Sequence, residues 1–317
     1  MSRLSPQSRK WLFAAAKLGI VALLAWGIRG TLQTAFRQLA DRDASWNIAP
    51  VWLPSAGGLY LLGLLPCGLF WQGTLRRLGQ PAGFWQTLRA YYIGHLGKYV
   101  PGKAMVVVLR TAFVPREAGG AGLVAVSVLY ETLTMMACGA VLAAAILTIA
   151  YPDRRLIGLA VLLSLVAAAP TLPPVFRRLV RWARIGEGDA ATAERVTRLS
   201  WRWLAAGWLA TAAGWAAIGG SLAVTLMALG ESPHEMASHL PLLIATAALA
   251  MVAGFLSLVP GGVGVREFVL LELLVRQMGL DEATALIAAV VLRLVWLVAE
   301  VLASAILYGA GWKKPAG

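Results

Sequence analysis

The stretch SLVPGGVGVREFVLLE, residues 257–272, puts Pro260, Gly261, Gly262, Gly264, Arg266 and Glu267 into a chain that is otherwise apolar enough for lipid. Pro removes a backbone donor and Gly tolerates positive φ, so a helix stops there and the chain turns. Irregular backbone at membrane depth is stable only inside protein or around a water-filled cavity. The stretch therefore predicts the turn of a re-entrant helical hairpin, with Arg266 and Glu267 pointing into a cavity. The same residues also allow a loop at the membrane edge, with both charges in solvent.

The membrane assignment rests on composition. Of 317 residues, 59% are hydrophobic and 14% charged, against roughly 25% charged in soluble domains, and mean hydropathy is +0.72. Apolar runs at 11–28, 51–71, 121–150, 156–176, 203–229 and 283–311 approach the ~20 residues that cross a bilayer. Trp11, Trp26, Trp52, Trp71, Trp201, Trp203 and Trp312 lie near the ends of such runs, where an amphipathic ring straddles the lipid boundary. A soluble helical core would need polar faces that most of these runs lack. Cys67 and Cys138 lie inside apolar runs and read as small buried residues. With this hydropathy, the net charge of +13 points to an anionic lipid surface and away from nucleic acid. Residues 1–28 resemble a signal peptide but show no small-residue cleavage site, so an uncleaved first span is expected.

A second broken stretch, RAYYIGHLGKYVPGKAMVVVLR at 89–110, is interrupted by Gly97, Lys98, Pro101, Gly102 and Lys103. The Arg-rich segments 72–89 and 177–202 belong in the cytoplasm, and segment 230–239, with Glu231 and Glu235, belongs outside. These constraints predict one all-α integral membrane domain over 1–317 with about six full spans and two re-entrant hairpins. Seven or eight full spans are the alternative. The half-repeats, 11–150 and 156–311, then run in opposite directions. Inverted halves with broken helices facing substrate are the pattern of secondary transporters. The basic segment 177–202 reads as an amphipathic helix on the inner leaflet.

An ionisable group inside a membrane segment costs about 2.5–3.5 kcal/mol on insertion scales and so faces the protein interior with a partner. Lys98, Lys103 and Arg110 fall on the first hairpin, Arg266 on the second and Arg293 in the last span. Arg grips phosphate bidentately, Lys acts as a point charge, and a glycine turn such as Gly261–Gly262 exposes backbone N–H to anions. Together with Glu131 and Glu267 these residues form the expected substrate-binding set. The cations outnumber the nearby acids Glu131, Glu267, Glu272 and Glu300, an excess suited to a phosphate headgroup. An ion pair between Glu131 and Arg293 is expected across the halves. Snorkelling to the interface is open for Lys98 and Lys103. His234, Glu235 and His239 are spaced one residue too far apart for a zinc-protease helix and read as a solvated loop. His95, beside the first turn, reads as a hydrogen-bonded structural histidine, with a proton relay as the alternative. No metal, cofactor or catalytic nucleophile is expected.

At these residues the chain also resembles a known family. VPGGVGVREFVLLELL with GLDEATALIAAVVLRLVW, and IGHLGKYVPGKAMVVVLR with SVLYETL, are similar to the signatures of the flippase-like membrane domain of lysylphosphatidylglycerol synthases and its stand-alone relatives. The resemblance implies a multi-pass protein of the bacterial inner membrane that moves a phosphate-bearing lipid or lipid-linked headgroup between leaflets. The synthases carry a soluble aminoacyl-transferase domain after the membrane part. With this sequence ending at Gly317, lipid aminoacylation and enzymatic activity are not expected. A membrane transferase acting on a lipid phosphate, or a non-transporting scaffold of an envelope-lipid pathway, is the alternative. The expected partners are the membrane and an anionic phospholipid or lipid-linked phosphate, with a homodimer left open.

Overall fold

The computed structural model describes residues 48–100, 104–114, 120–151, 154–183, 194–257, 259 and 262–310, with Arg29 and Gln33. The expected span at 11–28, Lys103, Gly261 and residues 184–193 lie outside them. Every regular element among the described residues is helical. In chain order these are α1 (Leu53–Arg77), α2 (Phe84–His95), α3 (Ala104–Phe113), α4 (Gly120–Ala150), α5 (Arg154–Ala168), α6 (Pro173–Trp182), α7 (Trp201–Ala228), α8 (Pro233–Ser238), α9 (Leu240–Leu256), α10 (Val265–Met278) and α11 (Glu282–Ala310).

Among the described residues, four helical segments, Pro50–Arg77, Gly120–Ala150, Trp201–Ala228 and Glu282–Gly309, are long and apolar enough to cross a membrane. At ~1.5 Å per residue each exceeds the ~30 Å hydrocarbon core. They correspond to the expected runs 51–71, 121–150, 203–229 and 283–311. The expected run 156–176 is not one straight span. Pro170, Pro173 and Pro174 end α5 at Ala168, and the chain bends by 64° before α6. α5 and α6 together form at most a broken span.

The core is built on α1 and α7, which lie along each other with α4, α9 and α11 around them. Small residues set this approach: a Cβ added at Gly63 would stand 2.8 Å from the Gly214 carbonyl oxygen, and one at Gly214 would stand 2.6 Å from that of Gly63. Lipid offers helices no hydrophobic reason to associate, so such close backbone contact supplies dispersion instead. Buried Trp side chains then tie helices together through their N–H groups. Trp71 donates to Ser127 Oγ at 2.9 Å, Trp215 to the Met135 carbonyl at 3.0 Å and Trp296 to Ser221 Oγ at 2.9 Å. Trp71 is therefore a core residue and not a boundary ring: it is fully buried, and its indole N–H needs an internal partner. Trp52 and Trp201 are exposed, as boundary residues would be.

Both interrupted stretches form helical hairpins. α2 ends in a 3-10 turn, Leu96–Tyr99, and α3 returns along it. α9 ends at Leu256 and α10 returns along it. In each hairpin a glycine on the entering helix receives the aliphatic stem of an arginine on the returning one. Cβ atoms added at Gly94 and Gly254 would each fall 2.4 Å from the Cγ of Arg110 and Arg266, respectively.

Candidate functional site

The two hairpins and α4 line a cavity of 360 Å³. His95, Lys98, Arg110, Glu131, Thr132 and Arg266 share its lining with apolar side chains that include Met135, Met136, Met251 and Phe255. The turn of the second hairpin closes one part of it through Val259 and Gly262. Gly262 has a φ of 65°, and a Cβ there would stand 2.6 Å from Arg266 Cδ and 2.9 Å from Gly254 Cα. No side chain fits that position, which lets the Arg266 stem lie directly on backbone.

Arg110 sits on α3 and is almost completely buried, at 2% exposure. Its Nη1 donates to Glu131 Oε2 on α4 at 2.6 Å, and Tyr91 O–H donates to the other carboxylate oxygen at 2.9 Å. The guanidinium also lies 4.1 Å over the Tyr91 ring and 4.9 Å over Trp71. A cation with this surround is fixed in place.

The expected pair between Glu131 and Arg293 does not form. Arg293 on α11 is bonded to Glu267 of α10, and Glu131 is occupied by Arg110. The physical reason is chain order: α10 leads directly into α11, as α3 leads into α4, so Glu131 and Arg293 each find a counter-ion on the neighbouring helix. Glu267 has a second task, because its Oε2 accepts the Gly264 N–H at 2.7 Å in the first turn of α10. It is thus committed to the hairpin's own structure, and neither Glu267 nor Arg293 lines the cavity.

Lys98 does not reach outward as a snorkelling side chain would. Its ammonium is bonded to Glu300 of α11 and lies 3.1 Å from Tyr60 O–H, which also bonds Glu300. Lys98, Arg110 and Arg293 each hold a glutamate, so the positive excess read from the sequence is largely neutralised. Arg266 lines the cavity with its guanidinium 5.3 Å over the Trp296 ring. Lys103 and Gly261 lie outside the described residues.

Glu300, Tyr60, Tyr91 and His95 join the site without having been placed in it from the sequence. A signal for Glu300 was present: it follows Arg293 by two helical turns, so the two acidic and basic groups share one stripe of an otherwise apolar helix. His234 and Glu235 lie on α8, and the His239 ring contacts the Glu235 carbonyl at 2.9 Å. Among the described residues no group of side chains is arranged to hold a metal ion.

The family model described as lysylphosphatidylglycerol synthase TM region matches residues 14–304. No curated protein sequence and no solved structure matches the chain.

Proposed function

The chain belongs to the lysylphosphatidylglycerol synthase TM region family, and on that premise we propose that it carries a phosphate-bearing lipid, or a lipid-linked headgroup, between the leaflets of a bacterial inner membrane. The observation that supports this most is the cavity between the hairpins, where Arg110, Lys98 and Arg266 stand beside methionine and phenylalanine side chains. Cations suit a phosphate, and the apolar walls suit the first carbons of a chain. A volume of 360 Å³ lies in the range that takes a small ligand or headgroup, leaving the rest of the lipid tail in the bilayer.

Within this reading the residues divide the work. Glu131 and Tyr91 hold Arg110 in one orientation, so that the guanidinium is preorganised for an incoming anion. Arg266, seated on Gly254 and Gly262, presents a planar fork able to grip two phosphate oxygens. The shared seating of Arg110 and Arg266 on glycine supports an inverted repeat in which both halves contribute one arginine to the path.

Leaflet exchange of a labelled phospholipid in proteoliposomes tests the proposal. Arg266→Ala is expected to remove exchange while the variant still folds, and Arg266→Lys to retain only part of it. The lipid is expected to emerge chemically unaltered. Full exchange by Arg266→Ala would overturn the reading, and a covalently modified lipid product would replace transport with transfer chemistry.

A further inference from the structure

Glu131, in the cavity lining, and Glu300, behind it, are bonded differently. Both oxygens of Glu131 are occupied: Oε1 accepts from Tyr91 and Oε2 from Arg110 and Thr132. Glu300, only 1% exposed, concentrates its bonds on one oxygen, Oε1, which takes Tyr60 O–H and the Lys98 ammonium. Its Oε2 is buried and makes no hydrogen bond among the described residues, and neither does His95 Nε2, which stands 3.9 Å from Glu300 Oε1. A buried polar atom left bare carries its full desolvation cost. A carboxylate with one bare oxygen has the place for a proton that Glu131 lacks.

Lys98 connects this arrangement to the cavity. Its side chain belongs to the lining, while its ammonium is held by Glu300, which lies behind the lining. The groups facing Glu300 come from several elements, Tyr60 on α1, His95 on α2 and Lys98 and Tyr99 in the turn, and Arg266 on α10 and Arg293 on α11 lie near Lys98 and Tyr99.

We propose that Glu300 is a proton-loading site whose protonation releases Lys98 to an anionic group in the cavity, so that each phosphate-bearing lipid binds together with a proton. This inference rests on the cavity being the lipid site. The proton passes from water to Glu300 Oε2. The neutral acid keeps its hydrogen bond with Tyr60, and the Lys98 ammonium exchanges the carboxylate for the phosphate. One negative and one positive charge enter together, so the net charge of the buried site does not change, which low-dielectric surroundings strongly favour.

Binding of dihexanoyl phosphatidylglycerol to the detergent-purified full chain, from mildly acid to mildly alkaline pH, tests this, because a phosphodiester keeps one negative charge throughout. Zwitterionic dihexanoyl phosphatidylcholine and chain-free dimethyl phosphate are the comparison ligands. By reciprocal linkage, a proton that binds with the lipid means that wild-type affinity for phosphatidylglycerol is expected to weaken as pH rises, by up to about tenfold per pH unit. Glu300→Gln mimics the protonated acid and is expected to bind with a flat profile. A slope shared by dimethyl phosphate identifies the phosphodiester alone as the trigger, and a slope confined to lipid identifies the headgroup with its chain; either supports the proposal. Independently of any variant, adding phosphatidylglycerol to wild type in weak buffer is expected to take up a proton, read with a pH dye. A flat wild-type profile with intact binding, no proton uptake, or a wild-type slope in Glu300→Gln would overturn the proposal alone. No binding by wild type at any pH would overturn the cavity reading with it.

Discussion

Removing one partner of the Arg110–Glu131 pair is the sharpest structural perturbation the molecule offers. Arg110 is 2% exposed and Glu131 1%, they meet at 2.6 Å, and Tyr91 completes the carboxylate's bonding at 2.9 Å. Glu131→Gln keeps the shape and an acceptor for Tyr91 but leaves a buried guanidinium without its counter-charge. Stranding a buried charge costs roughly 3–5 kcal/mol, whereas removing both charges is often close to neutral. Arg110→Met, which strands the carboxylate, is expected to cost a similar amount, and the double variant about as little as a conservative core change. The coupling energy, the two single costs less the small double cost, should then exceed about 4 kcal/mol, with stabilising sign. Unfolding by sodium dodecyl sulfate titration in mixed micelles measures each corner of the cycle. The cycle between Glu131→Gln and Arg293→Gln should instead be additive to within about 0.5 kcal/mol, because those residues have different partners. Single variants at Arg110 and Glu131 that stay within about 0.5 kcal/mol of wild type, or coupling found between Glu131 and Arg293, would refute the pairing.

Two further outcomes are expected. Gly262→Leu adds a Cβ where Arg266 Cδ is 2.6 Å away and φ is 65°, so it should lose ~1–2 kcal/mol to backbone strain alone and abolish lipid exchange; near-wild-type melting and exchange would show that the turn does not pack as described. Asp281, whose carboxylate oxygen accepts the N–H groups of Ala283 and Thr284 at 3.0 Å, caps the start of α11, and Asp281→Ala should cost ~1 kcal/mol at neutral pH. Its hydrogen bonds from Thr284 hold the carboxyl below the ordinary Asp range, so this contribution is present above that range and is lost as pH falls through the lowered value; a deficit that persists in acid would point to a cause other than the charged cap.

Much of this architecture is readable from local chemistry. Long apolar runs with few or no charges become α1, α4, α7 and α11 because a bilayer-length apolar helix needs no tertiary information to be recognised. The hairpin breaks are readable for the same reason: Gly97 admits no Cβ against the backbone of Val106, whose N would lie 2.5 Å away, and Gly262 needs its positive φ. What failed depended on helix rotation and neighbours. Trp71 looks like a boundary ring until α1 turns it onto Ser127 of α4. Glu131 and Arg293 look complementary because the sequence shows charge without direction, yet each is satisfied by the helix adjoining it in the chain. The prolines at 170, 173 and 174 were visible, but hydropathy outweighed them and turned a bent pair into one span. Glu300 was counted as an acid and not placed in the site, since its partners Tyr60 and Lys98 lie more than two hundred residues before it in the chain and only the packing of α11 on α1 and α2 brings them together.

The measurement that bears most directly on the lipid-carrying cavity is native mass spectrometry of the chain released from mild detergent, with the bound species fragmented to reveal its headgroup. Wild type is expected to retain a lipid containing phosphate, and Met136→Trp, which fills the cavity lining between the hairpins, to lose it while remaining folded. A bound species without phosphate, or the same lipid held at equal occupancy by Met136→Trp, would contradict the assignment of this cavity to a phosphate-bearing lipid.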